Sequence, residues 1–190
     1  GCLLPTDRQI YLKNASPRYV SRGGLKLEAT LTAFRVPVHG KVCLDVGAST
    51  GGFTDCLLQH GASKVFALDV GKGQLDWKLR NDSRVSILEE TNARYLTPEL
   101  LSEHPHLVTA DVSFISLRLI LPRLELFQKL EALVLVKPQF EARRSEMETG
   151  GVIRSPSKRQ EILNRFKEFV WHSEFDVLAE FPSPILGQKG

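Results

Sequence analysis

The sequence predicts an α/β fold: an open, mostly parallel sheet with helices on both faces. Three observations predict it. From residue 41 onward, short apolar runs rich in Val, Leu and Phe alternate with segments of helical character. The first apolar run leads directly into a glycine-rich turn that opens a helix. Polar motifs stand just after the runs, where ligands bind in such sheets, beyond the carboxyl ends of the strands. With 190 residues and roughly 150 residues per domain, one domain is expected. A composition of 42% hydrophobic and 25% charged residues excludes a disordered chain, which would combine low hydrophobicity with high net charge.

Residues 1–20 lack strong periodicity and read as an arm or linker remnant, leaving 21–190 as the domain. Leu25, Leu27, Leu31 and Phe34 predict a short helix with Ser21 or Gly23 near its cap, stopped by Pro37 and Gly40. Lys41–Val46 is a first strand, Gly52–Gln59 a helix ended by Gly61, and Lys64–Asp69 a second strand. Gln74–Arg80 is helical and Arg84–Leu88 a third strand. Thr97–Ser102 is helical, with Pro98 at a favoured early position. Leu107–Asp111 is a fourth strand, Leu117–Lys129 a helix and Leu133–Val136 a fifth strand. The polar stretch Glu141–Gly151 reads as a mobile loop, Ser157–Trp171 as an amphipathic helix and Phe175–Phe181 as a sixth strand.

Composition narrows the function classes. No apolar stretch approaches the roughly 18 residues of a membrane span, and no leader is recognisable, so a cytoplasmic location is expected. Cys2, Cys43 and Cys56 are odd in number and lack C-x-x-C spacing, which argues against a disulfide framework or a zinc site. No metal is expected, and His104-Pro105-His106 reads as an exposed turn. Residues 1–26 carry five Lys/Arg against one acid, and residues 137–167 carry eight against four. Two basic segments around an acidic middle suggest a polyanion partner, with Arg18, Arg22, Arg143, Arg144, Arg154, Lys158 and Arg159 as candidate contacts.

The first strand ends in Asp45-Val46-Gly47-Ala48-Ser49-Thr50-Gly51-Gly52-Phe53. Gly47 permits a tight turn, and Gly51 and Gly52 let backbone approach a ligand. A nicotinamide fingerprint requires glycine where Ser49 stands, and a phosphate loop requires Gly-Lys-Ser/Thr where Phe53 follows. Asp45 adds negative charge where a pyrophosphate would be repelled. A ligand with a cationic end, such as S-adenosylmethionine, suits the loop better. Asp69, at the end of the second strand, is placed to accept the hydroxyls of a ribose. Asn92, after the third, could bond an adenine edge or simply form a turn.

The fourth strand ends Ala110-Asp111-Val112-Ser113-Phe114, without the prolines that methylases of base amino groups carry there and without a cysteine nucleophile. The remaining acceptor is an oxygen. The fifth strand ends Val136-Lys137-Pro138-Gln139-Phe140-Glu141. A lysine there is costly unless paired or functional. Lys137 reads either as a structural partner of Asp111 or as the group that takes a proton from, or holds, a ribose hydroxyl. Lys26, taken alone, reads as a solvated helix lysine.

Tyr19–Glu28, Asp45–Leu58, Gly73–Trp77, Asp111–Ser116 and Val136–Glu141 together resemble the TlyA or hemolysin A family, a branch of the FtsJ-like ribosomal RNA methyltransferases, over about residues 19–185. The resemblance implies a Rossmann-like class I S-adenosylmethionine-dependent methyltransferase domain at 21–190, acting on the 2′-oxygen of cytidine in ribosomal RNA. It implies ribosomal RNA or a ribosomal subunit as partner. It puts Lys26, Asp111 and Lys137 on three positions of a Lys-Asp-Lys-Glu tetrad, and Asp111 also beside the cofactor. The fourth residue, a glutamate on the last strand, is expected beyond Gly190; Glu180 lies on an earlier strand and does not replace it. An N-terminal S4-type RNA-binding domain is expected in the full-length protein. Two other readings stand beside this one. A binding module without catalysis would keep the cofactor loop. Membrane lysis, suggested by the name hemolysin, would rest on Ser157–Trp171 alone, which is more simply a sheet-covering helix.

Overall fold

The computed structural model describes residues 17–148 and 150–185. Five strands form one wholly parallel sheet in the order β3-β2-β1-β4-β5, namely β1 Val42–Val46, β2 Lys64–Leu68, β3 Val85–Leu88, β4 Leu107–Ala110 and β5 Glu131–Val134. The order reverses between β1 and β4, the switch point at which open α/β sheets hold their ligands.

Two apolar layers sandwich the sheet, because alternate strand residues face opposite sides. Cys43, Val65, Ala67 and Leu107 face α1 (Gly23–Phe34), α2 (Gly52–Gln59) and α3 (Trp77–Arg80), meeting Leu27, Leu31, Leu57 and Leu79. Leu44, Val46, Phe66, Leu68, Val108 and Ala110 face α4 (Leu121–Leu124) and α6 (Pro156–Trp171), meeting Leu121, Leu124, Phe166 and Val170. α5 is a single turn, Pro138–Glu141.

Several elements differ from the sequence reading. The helix expected at Gln74–Arg80 begins only at Trp77, where the Asp76 side chain accepts the Lys78 N–H. Thr97–Ser102 contains a 3₁₀ turn, Pro98–Leu100, and an unanticipated one lies at Ala93–Tyr95. Leu117–Lys129 is a 3₁₀ turn, Leu117–Leu119, followed by the one-turn α4, with Pro122 in its first turn. β5 begins two residues earlier than expected, since the β4 register pairs Leu107 with Glu131. Glu141–Gly151 holds a 3₁₀ turn, Arg144–Glu146, with Arg165 of α6 paired to Glu146.

Phe175–Phe181 forms no strand, a correction to the expected sixth. Its chain joins no ladder: Glu180 pairs with Lys167 on α6, and Phe181 packs edge-on to Phe34 at the end of α1, centroids 6.2 Å apart. The segment thus passes from one face of the sheet to the other, and Leu178 is left 92% exposed. The arm expected at 1–20 lies mostly outside the described residues.

Candidate active site

A cleft of about 350 Å³ opens beyond the carboxyl ends of β1 and β4, lined among others by Arg22, Lys26, Ser49, Asp111, Ser113 and Lys137. Its floor is the turn from β1 into α2. Gly47 there has φ +84°, and a Cβ on it would lie 2.8 Å from the Asp111 carbonyl oxygen. Gly51, at φ +96°, has no room for a Cβ beside Leu79 and Leu75. Glycine is therefore required at both positions, at Gly47 to bring the β1 turn against the β4 loop and at Gly51 to seat α3.

The first turn of α1 closes one wall. A Cβ on Gly52 would lie 2.9 Å from the Gly24 amide nitrogen, and one on Gly24 would enter the buried Tyr19 ring. These close approaches press the start of α1 onto the start of α2. Lys26, expected from local sequence to be solvated, consequently reaches across the cleft. Its Nζ stands 3.4 Å from Asp111 Oδ2, while Lys137 Nζ stands 2.7 Å from Asp111 Oδ1 and donates to Ser113 Oγ at 2.9 Å. The three side chains are between 18% and 23% exposed, so water screens their attraction less than on an open surface. Two ammonium groups flank one carboxylate, leaving one net positive charge to hold an oxygen that gains negative charge.

The predicted cofactor residues divide. Gly47, Ala48, Ser49, Thr50, Gly52, Phe53 and Asp111 line the cleft. Asp69 lies at the loop's far side, accepting the Ser49 N–H at 2.8 Å and the Gly71 N–H at 2.7 Å. Each of its oxygens keeps a lone pair for a further donor. Asp45 is not on the cleft surface. It is fully buried, accepting from Thr54 Oγ1 at 2.7 Å and Thr109 Oγ1 at 3.2 Å, and burial pushes its carboxyl up to about 6. It braces the loop from beneath. Asn92 Oδ1 accepts the Arg94 N–H, the turn-forming arrangement, and Asn92 does not line the cleft.

Of the basic residues, Arg22 lines the cleft and Arg18 pairs with Glu28 over the Tyr19 ring. Arg143, Arg144, Arg154, Lys158 and Arg159 are exposed, around the Arg144–Glu146 turn and the start of α6, with Arg154 3.5 Å from Glu148.

Sequence reasoning missed Ser113, Phe114 and Phe140. Phe114 is 91% exposed, has φ +64° and lies against Phe140, centroids 5.3 Å apart; Lys137 Nζ is 5.7 Å from the Phe140 centroid. A bulky residue in left-handed backbone is strained. The signal was an apolar ring placed among polar residues just after a strand. Among the described residues no group of His, Cys, Asp and Glu is disposed to hold a metal, and no helix is long and apolar enough to cross a membrane.

The family model for FtsJ-like methyltransferases matches residues 19–190. The Mycobacterium tuberculosis (strain ATCC 25618 / H37Rv) 16S/23S rRNA (cytidine-2′-O)-methyltransferase TlyA is 48% identical over 172 residues, 87% of this chain and 64% of the relative. Hemolysin A of Brachyspira hyodysenteriae is 47% identical over 91% of this chain and 73% of its own length. A crystal structure described as a candidate hemolysin from Lactococcus lactis superposes with a TM-score of 0.77 at 47% identity, covering 82% of this chain and 76% of that one.

Proposed function

Because the chain belongs to the FtsJ-like methyltransferase family, we propose that it transfers a methyl group from S-adenosylmethionine to the 2′-oxygen of a cytidine ribose in ribosomal RNA. The observation that carries this reading is the grouping of Lys26, Asp111 and Lys137 at the mouth of the cleft, above the glycine turn. When bound, S-adenosylmethionine would supply an electrophilic methyl group to the ribose oxygen, with S-adenosylhomocysteine as the by-product.

The residues present fit such a donor. The turn held open by Gly47 forms the cleft floor, and Asp69 retains acceptor capacity toward hydroxyls at its far side. The cleft is about 350 Å³, within the usual range for a small-molecule site. Asp111 orients both lysines. Lys137, held additionally by Ser113, and Lys26 bracket the position of the acceptor oxygen; whichever of the two has first given its proton to solvent receives the hydroxyl proton as a neutral amine, while the other, as ammonium, stabilises the developing alkoxide. Holding that oxygen in line with the methyl supplies much of the rate. The exposed Phe114 ring offers a stacking surface for the acceptor base, and the basic surface around Arg144 and Lys158 suits phosphates.

The relative named Hemolysin A raises membrane lysis as a second reading. α6 argues against it here, since Ile162, Phe166 and Val170 are buried in the protein core rather than presented outward.

The test is incubation of the complete protein carrying this sequence with methyl-labelled S-adenosylmethionine and ribosomal subunits, then nucleoside analysis of the RNA. Label in 2′-O-methylcytidine is expected; label on a base, or no label, overturns the reading.

A further inference from the structure

Glu141 stands outside the cleft, and its side chain is only 1% exposed. It ends α5, the single turn that follows Lys137. Its carboxylate does not bond within its own loop. Oε2 accepts from Ser116 Oγ at 2.6 Å and Oε1 accepts the Leu117 N–H at 2.7 Å, both on the loop that follows Asp111. Ser116 Oγ in turn accepts the Arg118 N–H, and the Arg118 guanidinium lies 3.6 Å from the Glu141 carboxylate.

Between the loop after β4 and the loop after β5 there are thus three ties: Lys137 to Asp111 and Ser113, Phe140 to Phe114, and Glu141 to Ser116 and Leu117. The first two belong to side chains that must also meet substrate. Glu141 is buried, so its tie persists whatever occupies the cleft. From this we infer that Glu141 is a positioning residue: it fixes the loop bearing Lys137 against the loop bearing Asp111 and so sets the spacing of the ammonium and carboxylate groups. The inference rests on the methyl-transfer reading above. Pro138 restricts Lys137 to the extended backbone it has, φ −110° and ψ 105°. One short turn then separates the anchor from the lysine, leaving little slack between them.

A displacement of about 1 Å at reacting groups can cost on the order of 100-fold in rate. In the complete protein, Glu141→Ala is expected to lower kcat about 10- to 100-fold, with donor affinity by calorimetry within about 3-fold of the unchanged protein. Glu141→Gln keeps an acceptor for the Leu117 N–H and is expected to recover most of that loss. Ser116→Ala removes one of the two bonds and is expected to lower kcat by a smaller factor, which serves if Glu141→Ala does not fold. A kcat at the unchanged level in folded Glu141→Ala overturns the inference. So does a loss from Glu141→Ala that Glu141→Gln does not recover, or, where Glu141→Ala does not fold, an unchanged kcat in Ser116→Ala. Absence of transfer by the unchanged protein instead overturns the functional reading itself.

Discussion

Asp111 Oδ1 and Lys137 Nζ meet at 2.7 Å although 25 residues lie between them in the chain. The register explains the meeting: Ala110 pairs with Val134, so both residues leave the sheet from neighbouring parallel strands. Lys26 reaches the same carboxylate from a helix outside the alternation.

Lys137→Ala is expected to lower methyl transfer by roughly 100- to 10,000-fold, the usual span for losing a group that moves a proton in the transition state. Asp111 retains Lys26 in the variant, so the fold and the donor site persist. Donor affinity, measured by calorimetry, is expected to stay within a few-fold. Equal loss of binding and transfer would make Lys137 a structural residue.

Gly47→Ala tests the floor of the cleft. The added methyl would meet the Asp111 carbonyl at 2.8 Å, in backbone that L side chains avoid. Both thermal stability and donor affinity are expected to fall, whereas Lys137→Ala spares the second. Unchanged calorimetric binding would remove the turn from the cofactor site.

The alternation from residue 41 made the parallel sheet legible, and strand ends marked the glycine turn, Asp111 and Lys137. Lys26 was not legible from its own helix, because its role depends on glycine contacts between α1 and α2 that no local pattern reveals. Asp45 was read as facing a ligand; the two-residue period turns it instead toward α2 and Thr54. Phe175–Phe181 has strand composition, but composition cannot say whether a ladder partner exists.

Asp45 predicts a pH dependence. Burial raises its carboxyl from 3.8 to about 6, so the folded state holds the proton more tightly than the unfolded chain. Stability from this group is therefore full below about pH 4 and declines as pH rises toward 6 and past it. Asp45→Asn lacks that slope. Relative to the unchanged protein, its stability in urea titrations is expected to improve by about 1 kcal/mol between pH 5 and pH 7. A pH-independent difference would refute the buried, proton-linked carboxylate.

Phe114→Ala is expected to weaken binding of the RNA substrate by roughly 5- to 100-fold, the worth of one base stacked on an aromatic ring. Donor affinity is expected to hold, since Phe114 does not line the cleft floor. Alanine keeps the Cβ and with it the left-handed strain, and the ring it removes is exposed, so stability is expected to change little. RNA binding equal to that of the unchanged protein would leave the exposed ring without a part in recognition.

The basic surface gives the last prediction. Arg144, Lys158 and Arg159 are exposed beside the turn that Glu146 and Arg165 fasten to α6. That anchoring keeps the three cations on a fixed surface, so they can meet phosphates without first ordering a loop. Each phosphate contact steepens the dependence of log affinity on log salt by about 0.7 to 0.9. Replacing all three by Gln is therefore expected to flatten the slope by about 2 to 3 and weaken binding across RNA sequences alike. Filter binding between about 50 and 200 mM KCl measures it. Arg165→Ala is expected to weaken RNA binding too, with less change in slope, because it loosens the surface without removing these three cations. An unchanged slope in the triple variant would place the RNA-contacting face elsewhere, leaving Arg22 at the cleft as the basic contact to test next.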